Sequence, residues 1–160
     1  MAIFKELVNI LKEKNLTLAC AESCTGGLFA AKMTDVGGAS QVFYGGVVSY
    51  VNHVKMKMLG VKKSTISKFS EVSYKCAEEM ALGVRSRLNS NIGVSFTGVA
   101  GPTGGTKENP VGTIYVGFSF ENRTYSIRLS FSPCLSRDEI RQRCSNLVAK
   151  MLVKKIMEKY

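Results

Sequence analysis

Histidine is nearly absent: His53 is the only one in 160 residues, and the five cysteines fall at 20, 24, 76, 134 and 144. That spacing yields neither a CxxC pair nor an even disulfide framework. One histidine and scattered thiols give no zinc-site pattern, so no metal centre is expected, and the cysteines read as buried free thiols in a reducing compartment. Long apolar runs are missing too. No segment approaches the ~18 residues of a membrane span. The opening "MAIFKELVNILKEK" mixes charge with apolar residues instead of showing a signal-peptide core. A cytoplasmic location with no membrane partner is the expectation. Internal repeats, low-complexity tracts and linkers are also lacking.

Acidic residues are the scarcer charge, 12 against 22 lysines and arginines, for a net charge of +10. Such a balance suits nucleic acid, an acidic surface or an anionic small substrate. The basic residues are scattered through segments such as "KKST" and "KKIMEK", the pattern of solvated faces, and no basic block interleaved with aromatics is present. Nucleic acid is therefore not the expected partner. What remains is ordinary for a globular protein, with 45% hydrophobic and 21% charged residues. The length fits a single domain over residues 1–160, able to bury ~70% of its unfolded surface.

Ile3, Leu7, Ile10 and Leu11 mark one stripe of a helix over residues 2–14. A strand at about 17–22 runs into the turn "SCTGG" and a helix to about Met33, which "DVGGAS" breaks. "VFYGGVVSYV" reads as a second strand ending near Tyr50, followed by a helical turn "NHVKMKML" and a loop "GVKKSTISKFSEV". Residues 73–89 form a helix with the face Ala77, Met80, Ala81, Val84 and Leu88. "IGVSFT" is a third strand, and the alternations Ile114–Phe120 and Tyr125–Phe131 predict a hairpin. A last helix runs from about 136 to 158, with the stripe Ile140, Cys144, Leu147, Val148, Met151, Leu152 and Ile156. Strands separated by helices pair in parallel, and the hairpin reverses one strand. The expectation is an α/β fold with a mixed five-stranded sheet, four strands parallel and one antiparallel, and helices on both faces. The carboxyl ends of the parallel strands then gather Ser23, Tyr50 with Lys55, Thr97 with its glycine loop, and Arg137 at one edge, where open α/β sheets bind ligands.

Two stretches carry the chemistry. "AESCTGG" places Glu22, Ser23, Cys24, Thr25 and two glycines where a strand hands over to a helix, whose first N–H groups are available to an anion or oxyanion. "GVAGPTGGT" holds Gly98, Gly101, Gly104 and Gly105 directly after a strand, and amides without side chains can cradle a phosphate. It matches neither a Walker A loop nor GxGxxG. Ser23 is a candidate nucleophile, although Ala21 and Thr25 occupy the glycine places of a GxSxG elbow. Its base would be His53 or Lys55. The histidine also reads as a solvated surface residue and the lysine as an ordinary neighbour of Lys57. A lysine deprotonates serine only when burial or nearby positive charge, such as Arg137 or a cationic substrate, keeps it partly neutral. Cys24 is a rival nucleophile that can equally face the core. Tyr50, Thr97 and Arg137 can each be plain strand-end or helix-start residues.

"AESCTGG", "GGVVSYVNHVK", "SFTGVAGPTGGT", "NPVGTIYVGF" and "SRDEIR", in this order, resemble the CinA C-terminal domain family, also called PncC, the nicotinamide mononucleotide deamidases. The similarity covers about residues 3–155, and the chain looks like the stand-alone form. The resemblance implies a three-layer α/β/α sandwich. It also implies an amidohydrolase that converts nicotinamide mononucleotide to nicotinic acid mononucleotide and ammonia in pyridine-nucleotide salvage. No metal or cofactor is required. The catalytic set falls on Ser23, Lys55 and Tyr50. The small-molecule nucleotide is expected against Cys24, Thr25, Gly26, Asn52, Thr97, Gly98, Gly101, Gly104, Gly105 and Arg137. Homodimers are usual in the family. Three positions depart from its common pattern: His53 replaces a glutamate, Tyr74 an acid in the middle loop, and Ser136 an aspartate before the late arginine.

Overall fold

Residue alternation along the strands decides the layers, and the computed structural model describes residues 2–160. All five residues of β1 (Leu18–Glu22) are buried. It lies between two parallel neighbours, β2 (Phe43–Val48) and β3 (Ile92–Gly98). Beyond β3 come β4 (Thr113–Phe120) and β5 (Arg123–Ser130), each antiparallel to the strand before it. The sheet order is β2-β1-β3-β4-β5. Thus β1, β2, β3 and β5 point one way and β4 the other, as the hairpin argument required.

On one face, Leu18, Cys20, Val94, Phe96, Val116 and Phe118 pack against three helices, α1 (Ala2–Glu13), α2 (Leu28–Thr34) and α6 (Arg137–Lys159). Phe29 of α2 joins them, with its ring 5.4 Å from Phe4 and 5.1 Å from Phe96. On the other face, Ala19 and Ala21 meet Leu59 of α3 (Asn52–Leu59) and Cys76, Met80 and Val84 of α5 (Tyr74–Leu88). The α5 backbone rests directly on β3 and β4. A Cβ at Gly93 or Gly117 would collide with the carbonyls of Ala81 and Ala77. Ser95 seals this approach, its hydroxyl donating to Ala77 O at 2.6 Å and accepting from Gly117 N at 3.2 Å.

Three expectations need correction. The segment read as a loop after Gly60 contains α4 (Lys63–Phe69). Its start is held by Glu79 of α5, which accepts from Lys62 N at 2.9 Å and from Thr65 Oγ1 at 2.8 Å, a tertiary cap that no local pattern displays. Leu147, placed on the buried stripe of α6, is 39% exposed, and Val153 faces the core instead. Cys134 is exposed, while the other four thiols are buried. Among the described residues no helix is long and apolar enough to cross a membrane.

Candidate active site

The carboxyl edge of the sheet builds a cleft of about 460 Å³. At its floor, Ser23 continues the β1 ladder by one residue, its N–H bonding Phe96 O of β3 at 2.9 Å. The chain then bends through Gly26 and Gly27, both left-handed at φ 59° and 97°. These values delay α2 until Leu28, so Cys24 sits in the turn and not inside the helix. On the adjacent strand, Ser49 N bonds Glu22 O at 2.8 Å, and one helical turn later α3 brings Lys55 back to the same edge.

Lys55 is 1% exposed. Its Nζ lies 3.0 Å from Ser23 Oγ and donates to Ser49 O at 2.7 Å and Tyr50 O at 3.4 Å. Burial pushes its pKa below the ordinary lysine value, against the opposing pull of Cys76, Glu71 and Cys24. The expected help of a neighbouring cation is not what depresses it. Burial also raises the Cys24 thiol to about 12, which keeps it protonated and removes it as a nucleophile. His53 is exposed and does not line the cleft.

Arg137, in the first turn of α6, spans the mouth. Its Nη1 donates to Gly101 O at 2.7 Å and its Nη2 to Tyr50 Oη at 3.0 Å. The Tyr50 phenol is therefore directed at Arg137, and only its main-chain carbonyl meets Lys55. Thr97 is buried, and its hydroxyl donates to Glu71 O at 2.7 Å, fixing the wall formed by Glu71 and Val72. Of the expected binding residues, Cys24, Asn52, Thr97, Gly98, Gly104 and Arg137 line the cleft with Ser23, Lys55 and Tyr50. Thr25, Gly26, Gly101 and Gly105 do not: Thr25 is wholly buried, the Gly101 carbonyl is held by Arg137, and Gly26 and Gly105 are exposed outside the lining.

The start of α2 corrects a further expectation. Its N–H groups are not free for an anion, because the buried Glu22 carboxylate accepts from Gly27 N at 3.0 Å, Phe29 N at 3.2 Å and Ala30 N at 2.8 Å. Sequence reasoning gave Glu22 no role, and it passed over Glu71 and Arg141. Arg141 donates through Nη2 to Thr25 O at 2.8 Å. The available signals were an acid at the end of a buried strand just before a Gly-Gly turn, and an arginine one helical turn after Arg137. Among the described residues, no group of His, Cys, Asp or Glu is placed to hold a metal ion.

Fold and site together define an α/β/α domain carrying a buried serine–lysine pair at the carboxyl edge of a mixed sheet. The chain belongs to the CinA C-terminal domain family, whose profile matches residues 1–156. A protein of Thermoanaerobacter sp. (strain X514) described as competence-damage inducible is 53% identical over 137 residues, which cover 86% of this chain and 33% of that protein. The chain thus spans about a third of the length of the curated relatives it matches. Among solved structures, the competence damage-inducible protein A of Klebsiella pneumoniae superposes with a TM-score of 0.95 at 26% identity, covering 99% of this chain and 98% of that one. The competence/damage inducible protein CihA of Agrobacterium tumefaciens gives 0.89 at 34% identity, covering 95% and 94%.

Two departures from the family pattern have local explanations. Ser136 caps α6 as an aspartate would, in a capping box with Glu139. Tyr74 packs edge-on against Tyr115 at 4.7 Å between ring centroids.

Proposed function

We propose that this protein is an amidohydrolase that deamidates nicotinamide mononucleotide through a Ser23–Lys55 pair, and that it acts in pyridine-nucleotide salvage. The observation that carries this reading is the 3.0 Å approach of Lys55 Nζ to Ser23 Oγ in a buried environment at the cleft floor. A neutral amine has two N–H groups, which suit the carbonyls of Ser49 and Tyr50, and one lone pair, which is then left for the Ser23 hydroxyl proton.

In the first step Ser23 Oγ bonds to the carboxamide carbon, and Lys55 takes the hydroxyl proton. The tetrahedral intermediate collapses by breaking the C–N bond, and Lys55 returns the proton to departing ammonia. Water then adds to the ester, loses its proton to Lys55, and releases the carboxylate while Ser23 regains its hydrogen. Among the described residues the N–H groups of Cys24 and Thr25 have no main-chain acceptor, and they suit the oxyanion. The guanidinium of Arg137 at the mouth, with the adjoining glycine loop, suits the phosphate. A positively charged pyridinium makes the carbonyl electrophilic without a metal.

Ser23→Ala tests the reading. Ammonia release from nicotinamide mononucleotide should fall at least ~10³-fold, with the melting temperature unchanged; turnover near the wild-type rate in this variant would remove Ser23 as nucleophile. The pH profile gives an independent check. Because the Lys55 pKa is lowered, kcat/KM should rise with pH and level off below the ~10.4 of an unperturbed lysine. The Glu71 carboxylate pulls that pKa upward, so Glu71→Gln should move the rising limb to lower pH. A limb that stays in place or moves to higher pH would contradict the assignment of Lys55 as base.

A further inference from the structure

Glu22 is a carboxylate with 1% exposure that forms no ion pair among the described residues. Burying an ionised carboxylate is strongly unfavourable unless hydrogen bonds replace its water. Here three backbone N–H groups at the start of α2 and the Cys20 thiol, at 3.5 Å, surround it. The positive end of a helix adds to these contacts, and hydrogen bonds to a charged acceptor are stronger than neutral ones. Glu22 does not line the cleft, so it cannot touch a substrate.

Its neighbours are what matter. Ser23 follows it directly in the chain. The main-chain carbonyl of Glu22 accepts from Ser49 N, and the Ser49 carbonyl in turn receives Lys55 Nζ. One residue is therefore tied to both halves of the pair. From α6 Arg141 grips the carbonyl of Thr25. The peptide groups of Cys24 and Thr25 lie between these two fixings.

We infer that Glu22 and Arg141 are positioning residues that hold the Ser23 turn at two points, Glu22 as a buried acceptor filling the start of α2 and Arg141 as a clamp on Thr25. This rests on the reading of Ser23 as nucleophile. In Glu22→Gln an amide N–H₂ replaces one acceptor oxygen and faces backbone donors that it cannot satisfy. The turn then shifts, and a displacement of about 1 Å at a reacting group can lower a rate ~10²-fold. Arg141→Met keeps the aliphatic stem and removes the donor to Thr25, while Arg141→Lys restores a donor.

The test uses a small alkyl fluorophosphonate, which modifies an activated serine whatever the natural amide. Its reaction with Ser23 forms the P–O bond, expels fluoride and passes the hydroxyl proton to Lys55. Phosphonylation of Ser23, followed by mass spectrometry, should slow ~10²-fold in Glu22→Gln and ~10-fold in Arg141→Met, with most of the rate regained in Arg141→Lys. With nicotinamide mononucleotide, kcat should fall by similar factors while KM stays within about twofold. Unchanged phosphonylation rates in both variants would overturn the inference. So would Arg141→Lys as slow as Arg141→Met, since that is the mark of a merely structural contact. If Glu22→Gln does not fold, the arginine pair decides the matter. A wild-type protein that is phosphonylated at Ser23 but releases no ammonia from nicotinamide mononucleotide would refute the substrate reading and leave this inference standing. An unreactive Ser23 would end both.

Discussion

Lys55→Met is expected to suppress ammonia release about 10⁴-fold without lowering the melting temperature at neutral pH. General acid–base catalysis by a placed side chain is commonly worth 10²–10⁴ in rate, and here one amine serves both acylation and deacylation. Methionine matches the length of the lysine stem and removes a buried amine that, among the described residues, no carboxylate meets at ion-pair distance. Exchanging a buried charge for an apolar side chain of similar volume is often neutral or stabilising.

The sign of the accompanying pH effect follows from the lowered pKa. Between the folded-state value and ~10.4, the unfolded chain holds the Lys55 proton that the folded chain has released, so wild-type stability rises with pH across that window. The variant lacks this rise. Denaturant titrations of both proteins at several alkaline pH values measure the difference. Parallel stability curves, or turnover within tenfold of wild type, would rule out a depressed, catalytic Lys55.

Gly117→Val should destabilise the protein by roughly 3 kcal/mol, the upper part of the usual range for overpacking a core, which for a chain of this size lowers the melting temperature by about 10 °C. The added Cβ would meet the carbonyl of Ala77 and the hydroxyl of Ser95. Rotating a flexible side chain cannot relieve the backbone contact. Moving α5 outward would break the Ser95 to Ala77 hydrogen bond and loosen the layer that carries Met80 and Val84. A melting temperature within about 1 °C of wild type would show that α5 floats on the sheet instead of resting on it.

Most of the architecture was legible because the strands of this chain are strongly patterned. Ile114 to Phe120 and Tyr125 to Phe131 alternate cleanly, and Ala77, Met80, Ala81 and Val84 recur at helical spacing. Parallel direction then follows from the helical crossovers. The α4 segment escaped because its start is capped by Glu79, a residue from another helix, and "KKSTISKF" has no apolar stripe of its own. Leu147 was misplaced for a related reason: on the 23-residue α6 the buried stripe drifts, and Ala149 and Val153 take the core positions.

At the site, Ser23 was legible because it follows directly on a strand whose carboxyl end could be read, and Lys55 because it lies in the helical turn after the neighbouring strand. The contacts that orient them were not. Glu22 looked like one more residue of a turn motif, since its three acceptor bonds exist only after α2 folds back over the end of β1. Tyr50 and Arg137 were each picked out, but their mutual hydrogen bond joins residues 87 positions apart. Thr97 was expected beside the ligand, and the structure directs its hydroxyl to the Glu71 carbonyl, making it a wall support.

The position of β1 beside the edge strand β2 has one further consequence. Neighbouring strands stand about 4.8 Å apart, and Ser23 and Ser49 extend two adjacent ones through ladder bonds to Phe96 and Glu22. The nucleophile is thus fixed to an interior strand, whereas the base hangs from α3 behind the half-exposed edge strand β2, and local opening costs least where few buried contacts hold the backbone. Heat should open this edge before the interior of the sheet, so catalytic competence should be lost at a lower temperature than the native fold.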